Sequence, residues 1–211
     1  MKKIIAISFL GFFLASGWAA AASEPKDSME NTMIITHKTL SLQCSSQPVI
    51  LERAESIVVK IKEMTSQLIE PNKPVLPIIV KTCQVPYGSK NIKVTCIPKD
   101  INTMVLSKKI MAACIAPLSK ISAITTNTKN DSIYNSTLFY PKSWYRYTIG
   151  AGCDSNGSKI IFVKIVCYPV RYSPANNQIE YTTSFDIGMT YEEPLTTAQT
   201  NETYDLVIIA P

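Results

Sequence analysis

From Gln178 to Tyr191 the chain alternates with a period of two. Ile179, Tyr181, Phe185, Ile187, Met189 and Tyr191 fall on one side, and Gln178, Glu180, Thr182, Ser184, Asp186 and Thr190 on the other. Successive side chains of an extended strand point to opposite faces, so this pattern predicts a long strand with one dry and one wet face. The segment before it, Lys159 to Arg171, is apolar on both faces: Ile161, Val163 and Ile165 on one, Ile160, Phe162 and Val166 on the other. That is the pattern of a central strand. Ser173 to Asn177 (Ser-Pro-Ala-Asn-Asn) is a turn, and Asn156-Gly157 predicts a two-residue hairpin turn with both positions at positive φ. Trp144 to Ala151 is the strand that leads into it.

The first half follows the same period. Ile57, Val59 and Ile61 alternate with Val58, Lys60 and Lys62, which predicts a half-buried strand. Three prolines between Glu70 and Pro77 forbid helix there. Ile78 to Gln84 and Asn91 to Ile97 flank Pro86-Tyr-Gly-Ser-Lys90 and read as a hairpin. With Gly88 to Asn91 as its loop, Cys83 and Cys96 face each other. Cross-strand Cβ atoms lie about 4.5–5.5 Å apart and a disulfide wants about 3.8 Å, so a close, non-hydrogen-bonded pair could bridge. A Cys83–Cys96 disulfide or thiol contact is therefore expected. The best helical candidate, Leu106 to Leu118, carries interior small residues and Pro117. Many strands, tight turns and no convincing amphipathic helix predict an all-β fold, an antiparallel β-sandwich of jelly-roll or immunoglobulin-like type, over residues 46–193. With 46% hydrophobic residues the chain has material for a core, which excludes wholesale disorder.

The ends read differently. Lys2 and Lys3, the apolar stretch Ile4 to Trp18 and the tract Ala19 to Ala22 predict a secretory signal peptide over residues 1–22, with no membrane span once it is removed. The chain is then secreted, extracellular or at the cell surface. Loss of the two lysines lowers the net charge from +5 to +3, and the remaining basic residues are scattered, so nucleic acid is not an expected partner. Residues 23–45 read as a polar leader and 194–203 as a polar linker. Tyr204 to Pro211 resembles a fully buried parallel strand, the first of an absent α/β domain, or else a last edge strand of the sandwich. All six cysteines lie beyond the signal, which permits disulfides, and sequons occur at Asn130, Asn135, Asn156 and Asn201.

Candidate chemistry is sparse. The chain has one histidine, His37, and no C-x-x-C, so neither a histidine-ligated metal nor a cofactor is expected. His37 with Cys44 lacks an orienting residue, so no catalytic constellation is assigned. Asp154, Asp186 and Glu192-Glu193 lack calcium-loop spacing. Trp144, Tyr145 and Tyr147 could be drawn as a sugar-binding face, but alternating aromatics on a strand are more often half core and half rim.

A set of short motifs recurs in order: Lys73-Pro-Val-Leu-Pro77, Tyr140-Pro, Gly150-Ala-Gly152, Tyr168-Pro-Val-Arg-Tyr-Ser-Pro174, Ile179-Glu-Tyr, Tyr191 and Tyr204-Asp-Leu-Val-Ile-Ile-Ala-Pro211. Together they resemble the N-terminal propeptide of the gingipain family of cysteine peptidases, over about residues 55–211. The resemblance implies a β-sandwich prodomain that assists folding of a caspase-like cysteine peptidase and blocks its cleft. The partner it implies is that catalytic domain, following in cis, and the family's catalytic His and Cys have no counterpart here. It further implies a basic side chain that fills the specificity pocket. Lys142 and Arg146, in the aromatic segment Tyr140 to Tyr147, are the candidates. Asn72 stands where the family has glycine and Ser173 where it has asparagine. No Lys or Arg follows Arg171, so the linker offers no basic cleavage site. The alternative from a different class is a free-standing secreted sandwich for adhesion or surface binding, or a stand-alone protease inhibitor.

Overall fold

The alternating segment after the turn at Ser173–Asn177 forms the longest-shared strand of the fold, with a partner along each edge. A computed structural model describes residues 34–44, 47–113 and 131–194. In chain order the elements are β1 (Ile35–Gln43), β2 (Val49–Glu52), β3 (Ile57–Lys60), β4 (Ser66–Leu68), β5 (Leu76–Pro86), β6 (Lys90–Val105), the single-turn α1 (Asp131–Tyr134), β7 (Tyr145–Cys153), β8 (Lys159–Cys167), β9 (Val170–Ser173) and β10 (Gln178–Glu192). One sheet runs β1-β10-β6, with β9 sharing the β1 edge of β10. The other runs β4-β5-β8-β7, and β2-β3 is a separate hairpin. Every pairing between named strands is antiparallel. The two sheets face each other as a sandwich: the Tyr145 hydroxyl on β7 donates to the Val94 carbonyl on β6, and the Lys38 ammonium on β1 to the Gln84 carbonyl on β5.

The predicted dry face of β10 is dry. Ile179, Phe185, Ile187, Met189 and Tyr191 are buried and Tyr181 is half-buried. The predicted wet face is dry at two positions, Thr182 and Ser184. There the Thr182 hydroxyl satisfies itself on the carbonyls of Lys99 and Ser184, and its amide donates to the Pro169 carbonyl. Hydrogen bonding lets small polar residues enter the interior at low cost.

Four expectations need correction. The residues 78–97 are not a hairpin. β5 pairs with β8 and β6 with β10, so Pro86 to Lys90 carries the chain from one sheet to the other. Cys83 therefore lies opposite Val163, and Cys96 opposite Ile187; both thiols are free. Gly88 at the corner has φ 88° and a Cβ there would meet Pro194 at 3.3 Å, so this bend requires glycine. The apolar run 159–171 is not one strand. β8 is central in its sheet, but the chain leaves it at Tyr168-Pro169 and enters the other sheet as β9, since Pro169 has no amide to continue a ladder. Asn156-Gly157 does turn a hairpin, but within a longer loop: only Gly157 has positive φ, and Asp154 Oδ1 accepts the amides of Asn156 and Ser158. Finally, much of the predicted leader is β1, paired with β10 from Ile35↔Glu192 to Gln43↔Ser184. Its mostly exposed residues hide it as a strand in the sequence.

β3 is more buried than its alternation suggests, because Val58 is covered as well as Ile57 and Val59. Isolated bridges explain part of this: Ile57 pairs with Ile110, and Pro74 with Ala112, so the stretch 110–113 lies along β3 and the proline segment. Among the described residues no helix is long and apolar enough to cross a membrane. The predicted signal peptide, the linker beyond Pro194, the segment 204–211 and Cys114 lie outside the described residues.

Candidate functional site

The segment holding Lys142 and Arg146 is stapled to the sheet-switching chain between β8 and β9. Tyr140 exchanges both backbone hydrogen bonds with Tyr172, at 2.8 and 2.7 Å, and the Tyr168 amide donates to the Trp144 carbonyl at 2.8 Å. The Tyr140–Pro141 peptide between these staples is cis. One side chain fills the space beneath. Arg171 donates to the Lys142 carbonyl at 2.8 Å and to Glu180 Oε2 at 2.5 Å. Its guanidinium lies 4.2 Å from the Trp144 ring centroid and 5.4 Å from that of Phe139. Planar, permanently charged and weakly hydrated, arginine suits such a stacked position. Its Nε is buried with no hydrogen-bond partner among the described residues.

A second group of charges borders the segment. Lys73 pairs with Glu70 at 2.5 Å and sits 5.4 Å over the Tyr140 ring. The hydrogen bond from Lys73 holds the Glu70 carboxyl below its ordinary range, with the nearby Arg146 charge adding to the effect. Burial first, then the Glu70 charge, raises the Tyr140 phenol well above its ordinary value, and Arg146 opposes the shift. Burial also raises Tyr168, again against Arg146. Arg146 thus belongs to the Glu70–Tyr140–Tyr168 neighbourhood. Lys142 is exposed as Arg146 is, but its backbone is held by Arg171.

β7, which continues from this segment, is an edge strand. Among the described residues it pairs with β8 on one side only, and every residue except Tyr145 and Gly152 is exposed. Tyr147 and Ile149 keep 37% and 47% of their surface in water. Such an edge presents unpaired amides and carbonyls to any extended chain that approaches.

The other candidate residues are not brought together. Cys83 and Cys96 sit in opposite sheets. His37 is exposed opposite Thr190, and Cys44 lies beyond the end of β1, half-buried. Burial first, then the charges of Glu63 and Cys167, push the Cys44 thiol up to about 11. A nucleophilic cysteine needs the opposite shift. At pH 8 only about one Cys44 in a thousand is then thiolate. Pulse alkylation read by mass spectrometry is expected to label exposed Cys153 well before Cys44; equal rates would refute the burial effect. Asp154 caps its turn, Asp186 pairs with Lys99 at 2.7 Å, Glu192 accepts from Asn91 and Glu193 from Thr36. Trp144 stacks on Arg171 and Tyr145 turns inward to Val94, so the three aromatics do not make one sugar platform.

Arg171 is the residue that sequence reasoning passed over. The signal was present: with Ser173–Asn177 as the turn, pairing outward across it sets Arg171 opposite Glu180, as the β9–β10 register has it.

A family model described as Propeptide_C25 matches residues 25–208. Two solved structures share the fold. One, described as the complex of Porphyromonas gingivalis RgpB pro- and mature domains, is 13% identical with a TM-score of 0.57, over 72% of this chain and 78% of that one. The other, described as giving insight into the zymogenic latency of gingipain K from Porphyromonas gingivalis, is 16% identical with a TM-score of 0.54, over 78% of this chain and 94% of that one. No curated protein matches the chain.

Proposed function

The chain belongs to the Propeptide_C25 family, the propeptides of gingipain-type cysteine peptidases, and on that premise we propose that it assists folding of such a peptidase and holds it latent. The single observation that carries this reading is the family match across residues 25–208, which takes in the whole described sandwich. The partner is a cysteine peptidase catalytic domain, engaged without any catalytic group from this chain. The same premise favours export, with residues 1–22 as the signal removed on the way.

Latency of this kind is a binding problem: an extended segment must occupy the cleft, and a side chain must enter the specificity pocket. The segment Tyr140 to Tyr147 and the β7 edge suit that task. Their backbone is fixed in advance by Arg171 and the Tyr140–Tyr172 pair, so little ordering entropy is lost on docking. Of the two basic candidates, Lys142 is the better probe of the pocket. Both are exposed, but Lys142 sits on a backbone held by Arg171, whereas Arg146 lies in the field of Glu70.

The test adds the purified chain to a separately produced gingipain-type catalytic domain and follows residual peptidase activity. Inhibition with a defined Ki is expected. Lys142→Ala should weaken it about 30-fold, the scale of a central interface residue, and Arg146→Ala less. Equal inhibition by wild type and both variants would remove the two residues from the interface. No inhibition and no binding by the folded wild-type chain would instead favour the adhesive reading.

A further inference from the structure

Cys96 on β6 and Cys167 on β8 belong to opposite sheets, and their Sγ atoms are 3.7 Å apart. Both are buried, at 4% and 0% of their surface. Each is pinned by its own sheet. Cys96 lies opposite Ile187, and Cys167 between Ile79 and Tyr145. The two sulfurs are thus in contact across the middle of the sandwich and 71 residues apart in sequence. A disulfide has an S–S bond of about 2.05 Å, so the sulfurs need to close by roughly 1.6 Å, within reach of side-chain rotation and a small adjustment of the sheets.

From this geometry we infer that Cys96 and Cys167 form an inter-sheet disulfide when the chain folds in an oxidising compartment. The oxidant is the active-site disulfide of an export-compartment thiol oxidoreductase. One cysteine of the pair, as thiolate, attacks that disulfide and forms a mixed disulfide, displacing the first oxidoreductase sulfur. The second, having lost its proton, then attacks the protein sulfur of the mixed disulfide and expels the oxidoreductase. Two thiols lose two protons and two electrons, and the oxidoreductase leaves as a dithiol. Because both sulfurs are sealed in the finished core, the exchange takes place while the sheets are still docking.

In the docked core the contact between the two thiols splits their acidities. The hydrogen bond from Cys96, opposed by burial and helped by the Lys81 charge, lowers Cys167. The same hydrogen bond, with burial, raises Cys96. The inference replaces the Cys83–Cys96 pairing expected from the sequence, because the partner of Cys96 lies across the sandwich rather than along a hairpin.

The full chain, exported through an oxidising compartment and purified without reductant, is to be denatured, alkylated and mapped by mass spectrometry. A peptide pair joining Cys96 to Cys167 is expected, with Cys83 and Cys153 alkylated. Reduction should lower the melting temperature of the wild type by about 10 °C, given the length of the closed loop, and leave a Cys96→Ala/Cys167→Ala variant unmoved. Alkylation of both cysteines without reductant, or linkage of Cys44 to either, would overturn the inference. The peptide map decides the matter even if the double variant fails to fold.

Discussion

Arg171→Met is expected to destabilise the fold by about 3 kcal/mol, seen as a fall of roughly 6–12 °C in melting temperature. The Arg171 and Glu180 side chains keep only 16% and 20% of their surface in water. Removing the guanidinium strands a largely buried carboxylate, and that penalty exceeds what the pair contributes as an attraction. It also removes the ring contacts with Trp144 and Phe139, worth about 1 kcal/mol. A second substitution separates these terms. Arg171→Met with Glu180→Leu should recover most of the loss, because neither charge then remains buried. If single and double variants melt together, the stranded carboxylate is not the cause. Arg171 also holds the Lys142 carbonyl, so the single variant should inhibit a partner peptidase less well even at temperatures where it is folded.

The strands that can be read from the sequence are those whose pattern is set by one neighbour and by water. β10 alternates because one face meets the opposite sheet, and Ile179, Phe185, Ile187 and Met189 record that in their spacing. Sheet membership is not recorded in the same way. Ile78 to Gln84 and Asn91 to Ile97 would show the same alternation whether they met as a hairpin or bent between sheets. Only the fold sets β8 beside β5 and β10 beside β6. The break at Pro169 is legible afterwards, since a proline cannot continue a central strand such as β8, but the apolar residues on both sides of it mask the switch. β1 is hidden for another reason: of its nine residues only Leu42 is fully buried, so backbone pairing to β10 makes it a strand, not burial. The candidate site is half legible. Lys142 and Arg146 stand out as basic residues among aromatics, but their difference arises from partners distant in sequence, Arg171 for one and Glu70 for the other.

Phe185→Ala should have the largest effect on the core, about 4 kcal/mol and a fall of roughly 8–16 °C in melting temperature. Phe185 is fully buried at the middle of β10, opposite Leu42 on β1 and Pro98 on β6. Its ring meets that of Trp144 edge-on, with centroids 6.4 Å apart at 67°. The contact joins the β10 sheet to the segment that carries Lys142. A double-mutant cycle with Trp144→Leu isolates it: a coupling of about 1 kcal/mol is expected, beyond the area each ring buries. Phe185→Leu refines the reading. It keeps most of the volume and should cost about 1.5 kcal/mol, yet lose the whole coupling. Trp144 is one of only two tryptophans in the chain, the other being Trp18 within the predicted signal peptide. Its emission therefore reports the contact directly. A red shift in Phe185→Leu at full foldedness is the expected sign that the ring, rather than bulk hydrophobicity, holds the segment in place. Unchanged emission with zero coupling would leave the staples to Tyr172 and Arg171 as its supports.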